Sequence, residues 1–271
     1  MGAGRSVRFP TDEARSGRYF ASGADTAHIS EQVAPMLGDS RPQQNHLWNM
    51  MPVAVRNRLA PYLEPVQLPQ EKVLYDVGNT ALHVYFPTSA VVSLLCAMDE
   101  DTTAHIALIG NEGLIGIALV IGGDTTPNRA VVQIPGAAYR LSGQRMKDEF
   151  NRDSEVLVLF LRYSRTLLVH MEQSAACSRH HTIDQQLCRW LLLLLDRLPS
   201  NESMATQESI TGMLGVAAER VAGAAGRLKD LGVIEYGNGR ISVLDRPRLE
   251  QLSCGCSKAV SKEVNRLFPN P

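Results

Sequence analysis

Glu219, Arg220, Arg227, Gln207 and Arg240 are the residues of this 271-residue chain whose types and spacing best fit a definite chemistry. A carboxylate can accept from the amino group of cytosine, and a guanidinium can donate two parallel bonds to guanine or to a phosphate. Glu219 and Arg220 stand together, suited to base edges. Arg227, two helical turns on, is suited to the sugar-phosphate backbone, as are Gln207 before them and Arg240 after them. Such groups serve duplex DNA only if a helix carries the first pair into the major groove and a hairpin flanks it.

The surrounding sequence supplies both elements. Two short amphipathic helical patterns meet at Leu214-Gly215-Val216, where Gly215 offers the positive φ that a tight turn requires. The second pattern, beginning near Ala217, sets Val221, Ala224, Ala225, Leu228 and Leu231 on one face at spacings of three and four. Gly232 stands where a C-cap belongs. Glu235 to Leu244 reads as two strands around Gly237-Asn238-Gly239, with Arg240 beside the tip. The whole predicts a winged helix-turn-helix.

Composition neither opposes nor advertises this reading. The chain is 44% hydrophobic and 20% charged with a net charge of −1, an ordinary globular balance. Residues 203–271 carry nine Lys/Arg against seven Asp/Glu, so the DNA argument rests on pattern rather than on electrostatics. Catalysis is not expected: the sequence offers no credible nucleophile–base pair and no Gly-Lys-Ser/Thr phosphate loop. Five scattered cysteines imply no disulfide framework. Cys254-Gly255-Cys256 lacks a second ligand pair at zinc spacing and reads as two structural thiols, so neither metal nor cofactor is expected. His180-His181 reads as a cap or turn between helices. The first residues lack an apolar signal core, and the run Trp190–Leu195 is too short to cross a bilayer. The expectation is a cytoplasmic protein with no membrane partner.

Upstream, residues 1–44 read as a flexible extension, and 45–63 as a short helical stretch carrying Leu47, Met51, Val55 and Leu59, broken by Pro52. Residues 66–141 hold short β-rich runs between turn signals, the texture of a sandwich or barrel. Gly113 to Gly123 interrupts them as a short buried helix. From Ser154 to Cys177 two apolar seams run side by side. One is Val156, Phe160, Tyr163 and Leu167; the other is Leu157, Leu161, Ser164, Leu168, Met171 and Ala175. One seam suits the parent domain, and the other suits the same helix of a second subunit. The next helix, about Thr182 to Leu198, turns Ile183, Leu187, Trp190, Leu191, Leu194 and Leu195 inward.

β-rich domain, long helix, winged helix-turn-helix: this order resembles the Crp/Fnr superfamily of bacterial transcription regulators. Val73-Leu74-Tyr75-Asp76-Val77-Gly78, His83-Val84-Tyr85-Phe86-Pro87, Gly113-Leu114-Ile115-Gly116 and Arg129-Ala130 carry the resemblance with the C-terminal motif. It implies an α+β fold: an N-terminal β-roll (a double-stranded β-helix or jelly roll), a long dimerisation helix and a C-terminal winged helix-turn-helix. The divisions expected are an extension 1–44, a cyclic-nucleotide-binding-like effector domain 45–153, the dimerisation helix 154–177 and a DNA-binding domain 178–271. In nucleotide-binding members a Gly-Glu pair and an Arg followed by Ser or Thr hold the cyclic nucleotide. Gly116 and Arg129 match and are the candidate effector-binding residues, but Ile117 replaces the Glu and Ala130 the hydroxyl residue. Each lost hydrogen bond costs a ligand about 1–3 kcal/mol, so cyclic AMP is not the expected effector. Arg129 either binds another anion or pairs with a nearby carboxylate. The iron–sulfur members' N-terminal cysteine cluster is missing, and His83 and His105 lack support as haem ligands. On the reading helix Ala218 and Gly223 stand where better-known members have arginines.

The resemblance implies a dimeric, sequence-specific transcription regulator, with duplex DNA, a second copy of the chain, RNA polymerase and an unidentified small-molecule effector as partners. The competing reading is a dimeric interaction scaffold whose helix-turn-helix has decayed.

Overall fold

The computed structural model describes residues 41–268, apart from 100–101, 124, 199–204 and 238–239. Of the extension expected over residues 1–44, residues 1–40 lie outside them, and its end is not a loose segment: Pro42–Gln44 form a 3-10 turn leading into the first helix. Two short helices open the described chain, α1 (His46–Met50) and α2 (Val53–Leu59), parted at Pro52. Leu47, Met51, Val55 and Leu59 are all buried, so the predicted helical seam does seal one end of the core.

Seven strands follow: β1 (Glu64–Leu68), β2 (Val73–Tyr75), β3 (His83–Pro87), β4 (Val91–Asp99), β5 (Thr102–Ile109), β6 (Arg129–Ile134) and β7 (Gly136–Ser142). They form a sheet in the order β1-β7-β3 and a second in the order β2-β6-β4-β5, all pairings antiparallel. Helix α3 (Ile117–Val120) interrupts them, short as expected but buried only at Leu119 and Val120. Leu68, Val84, Phe86 and Leu141 of the first sheet share a core with Tyr75, Val92, Leu94, Ala107, Ile109 and Val132 of the second.

Strand periodicity decides what covers the outer face of the second sheet. Val92, Leu94, Ala107 and Ile109 point into that first core, whereas Val91 and Leu108, one residue out of phase, belong to a second core. That second core is built by α6 (Ile183–Leu195), α7 (Gln207–Leu214) and α8 (Ala218–Asp230). Ser93 Oγ, fully buried, lies 3.0 Å from Met213 Sδ of α7. Residues 186–195 of α6 are all buried, Gln186 and Arg189 included, because helices pack against several of its faces: α7, α8 and the two helices that close the chain, Arg246–Leu252 and Cys256–Leu267.

Between the cores run α4 (Gly143–Arg152) and the 27-residue α5 (Ser154–His180), started by Asp153, whose side chain accepts from the Glu155 and Val156 amides. Its seam Val156, Phe160, Tyr163 and Leu167 is buried against the first core. Thr182 and Gln185 form a capping box at the start of α6. After α8, β9 (Ile234–Gly237) and β10 (Arg240–Val243) form the wing with β8 (Ala205–Thr206), in the order β8-β10-β9. Two helices not expected from the sequence close the chain, α9 (Arg246–Leu252) and α10 (Cys256–Leu267). The last returns to α5, where Arg165 Nε meets Glu263 Oε1 at 3.2 Å, and Leu267 enters the first core.

Candidate nucleic-acid interface

The turn between α7 and α8 is built as glycine chemistry dictates. Gly215 adopts φ +62°, and Ala217 serves as N-cap of α8. At the far end Gly232 sits at φ +70°. Its amide donates to Lys229 O at 2.8 Å while that of Val233 donates to Leu228 O at 3.0 Å, a Schellman cap. Val221, Ala224, Ala225 and Leu228 are buried as expected. Leu231 is not: it is the C-cap, 42% exposed, because the helical phase ends one residue before it.

The opposite face of α8 is smooth. Ala218, Glu219 and Arg220 are exposed in its first turn, and Ala222, Gly223 and Gly226 continue the surface without bulk. A Cβ added at Gly226 would touch nothing within 4 Å, so no neighbour among the described residues requires glycine there. Arg227 is exposed but committed: Nε donates to Asp184 Oδ2 at 2.9 Å and Nη2 to Asp184 Oδ1 at 2.6 Å, joining α8 to the first turn of α6. Lys229 Nζ donates to the Tyr236 carbonyl at 2.9 Å and steadies the wing. Arg240 opens β10, opposite Thr206 and Gly237, and Gln207 opens α7; their side chains lie outside the described residues.

The effector candidates are placed differently. Gly116 takes φ +94°, and a Cβ on it would meet the His83 carbonyl at 3.2 Å. Ile117 packs against the first core, and Ala130 is buried within it. Arg129 Nε lies 3.7 Å from Asp76 Oδ2, the carboxylate alternative, with both side chains close to half exposed. Such a pair is worth little in water. An open crevice of about 510 Å³, lined by His46, Glu112, Asp196, Arg197, Arg246 and Lys258 among others, includes neither Gly116 nor Arg129.

Two contacts tie the roll to the helices around it. Tyr163 Oη of α5 donates to the Leu114 carbonyl and accepts from the Leu114 amide, both at 2.9 Å. A Cβ at Gly113 would stand 2.4 Å from that same oxygen, which explains the glycine. Just past α6, Arg197 Nε donates to Glu112 Oε1 at 2.7 Å in a buried ion pair. Glu112 also accepts from the Gly110 amide at 3.0 Å, and Arg197 donates to the Leu193 carbonyl at 2.5 Å.

The cysteines are arranged otherwise than their spacing suggests. Cys254 and Cys256 do not stand alone as structural thiols: Cys177 and His181 at the end of α5 complete a group of four metal-ligating side chains. Burial pushes the Cys177 thiol up to about 12 and raises that of Cys256. The sequence does hold two local pairs, Cys177 with His181 one helical turn on and Cys254 with Cys256, but nothing in it joins them, because Cys177 and Cys254 are 77 positions apart.

Residues 185–252 match the family model of the Crp-like helix-turn-helix domain. Among solved structures, FixK2 from Bradyrhizobium japonicum superposes with a TM-score of 0.61 at 18% identity, covering 71% of this chain and 98% of that one. A putative transcriptional regulator of the Crp/Fnr family from Eubacterium rectale gives 0.61 at 15% identity, covering 78% and 98%. The c-di-GMP-responsive regulator CLP from Xanthomonas campestris gives 0.55 at 15%, covering 71% and 99%. No curated protein sequence matches the chain.

Proposed function

From a chain with the architecture of the Crp/Fnr-superfamily regulators and a Crp-like helix-turn-helix DNA-binding domain, we propose that two copies bind double-stranded DNA at a palindromic operator and regulate transcription. The observation that carries this reading is the first turn of α8, where Glu219 and Arg220 reach solvent from a surface otherwise made of Ala and Gly. Glu219 reads a cytosine amino group and Arg220 a guanine or phosphate. Gln207 and Arg240 take phosphates. Arg227 reaches the DNA backbone only by leaving Asp184, so it contributes less than its position on the helix implies.

Dimerisation runs through the outward stripe of α5. Of the seam expected to meet a second copy, Leu161, Leu168 and Ala175 are exposed while Leu157, Ser164 and Met171 are half-buried. The exposed stripe is Val158, Leu161, Arg165, Leu168, Glu172 and Ala175, at the alternating steps of three and four of a two-stranded coiled coil, with Val158, Leu161 and Leu168 45%, 54% and 58% exposed. Their phase supports a division in which residues 45–153 sense, α5 pairs and the rest of the chain reads DNA. The effector is not cyclic AMP, since the half-buried Ile117 side chain offers no acceptor for a ribose hydroxyl. Gly116 and Arg129 remain the residues on which another anionic effector would act, and RNA polymerase is the downstream partner. A decayed interaction scaffold is the second reading, favoured by the commitment of Arg227 to Asp184.

Selection of bound sites from random DNA, followed by a salt titration on the selected site, tests the proposal. A regulator making several phosphate contacts loses orders of magnitude in affinity between about 50 and 200 mM salt. Arg220→Ala should weaken binding to the preferred site by about 1–3 kcal/mol. Recovery of no enriched sequence, with salt-independent association, favours the scaffold.

A further inference from the structure

Four side chains of metal-binding chemistry converge at the joint between α5 and α6. Cys177 lies in the last turn of α5 and His181 is its C-cap, so one helical turn sets the two side by side. Cys254 lies in the loop after α9, and Cys256 opens α10. The four candidate ligand atoms all lie within 4.8 Å of one another. Cys177 Sγ is 3.5 Å from Cys254 Sγ, and Cys256 Sγ is 3.8 Å from His181 Nδ1. A tetrahedral zinc, with Zn–S near 2.3 Å and Zn–N near 2.1 Å, has ligand–ligand edges of about 3.5 to 3.8 Å. The space therefore suits one bare cation held by four protein ligands. An iron–sulfur core would spread its cysteines further apart. A disulfide would use two of the four groups and leave the convergence of the others unexplained.

The surroundings fit the charge of such a centre. Three thiolates and a neutral imidazole around Zn²⁺ leave one net negative charge in a buried place. Arg189 of α6 is itself buried, 6% exposed, and its charge is felt by all three thiols. Its Nη2 donates to Ser174 Oγ at 2.9 Å, while its Nε is buried without a hydrogen-bond partner. A buried guanidinium is tolerated where an anion faces it. The ligand backbones are held from outside the group as well: Gln186 Nε2 donates to the His181 carbonyl at 2.9 Å, and Ser257 Oγ to the Cys254 carbonyl at 3.3 Å.

We propose that Cys177, His181, Cys254 and Cys256 bind one Zn²⁺ as a closed structural site that clamps the C-terminal helices α9 and α10 to the α5–α6 joint. With no position left for water, the metal supplies cohesion and no hydrolytic chemistry. This site stands apart from DNA reading and is tested without DNA.

The experiment uses the full chain purified under reducing conditions. Elemental analysis should find about one zinc per chain, and Cys254→Ser or Cys256→Ser should lower that content by about tenfold or more. Cys96→Ser and Cys188→Ser, which change cysteines outside the group, should leave it intact. Replacement by Co²⁺ should give the intense visible bands of a tetrahedral ion with thiolate-to-cobalt charge transfer. A strong chelator should lower the thermal midpoint of the parent protein, with recovery on adding zinc. These cobalt and chelator measurements on the parent chain hold even if a ligand variant fails to fold. The proposal is overturned if the reduced protein neither contains nor takes up zinc, if cobalt binds with a weak octahedral spectrum, or if Cys188→Ser removes the metal as fully as Cys254→Ser. Isolation with iron and sulfide, or with a Cys177–Cys254 disulfide that reforms after reduction in the presence of zinc, would overturn it equally.

Discussion

His105 and His170 lie ring to ring at 6.5 Å between β5 and α5, each with a buried Nε2 that has no hydrogen-bond partner. Burial, and then the nearby charge of Arg189, hold His105 down from 6.5 to about 3; burial, Arg197 and Arg189 hold His170 well below its ordinary value too. Both imidazoles are therefore neutral in the folded chain, while the unfolded chain takes up protons below about pH 6.5. Stability is fully present above that pH and falls as the pH drops toward 3. At pH 5 His105 alone accounts for a loss of about 2 kcal/mol relative to pH 8, with His170 adding in the same direction. Urea unfolding of the parent and of a His105→Gln variant at both pH values checks this; an unchanged pH slope in the variant would remove His105 from the account. At Gly113 a methyl group would meet Tyr163 Oη at 2.4 Å, so Gly113→Ala should destabilise the chain by about 1–3 kcal/mol in the same assay.

Among the elements, α8 combines the exposed Glu219 and Arg220 with two interior glycines whose φ is not positive. Gly226→Ala fills open space and should stabilise the fold by about 1 kcal/mol. If it also abolishes DNA binding, the glycine serves close approach of the duplex; if binding is kept, Gly226 is a dispensable weakness. On α5, Leu161→Lys together with Leu168→Lys should shift the protein to monomer in light scattering while its circular dichroism stays helical, because both side chains already face solvent. The helices were the most legible part of the sequence, since spacings of three and four mark the buried seams of α5 and α8 directly. Leu231 shows the limit of that signal, which cannot tell the last helical residue from the cap beyond it. Helix α9 packs on α6 and α10 on α5 and α6, and Val260, Val264 and Leu267 of α10 are set inward at steps of four and three, a short seam that the sequence reading passed over. The cysteine group was illegible for a different reason: Cys177 and Cys254 are 77 positions apart, and only the return of α10 brings the two ends of the group together.

Across the whole molecule, the DNA-binding unit is docked on the outer face of the β4–β5 pair and pinned by Glu112 and Arg197. Removing one member of a buried ion pair strands the other, so Arg197→Met should cost about 3–5 kcal/mol and loosen the unit from the roll. Limited proteolysis should be faster in that variant; an unchanged rate would show that the apolar contacts of Val91 and Leu108 suffice. The Tyr163 phenol has a wider consequence. Because a single oxygen serves both the amide and the carbonyl of Leu114, that loop cannot slide past α5 without leaving two backbone groups bare in a dry interior. The loop and the helix must therefore move as one rigid body, so that a displacement of the strands around Gly116 carries the whole 27-residue length of α5 with it.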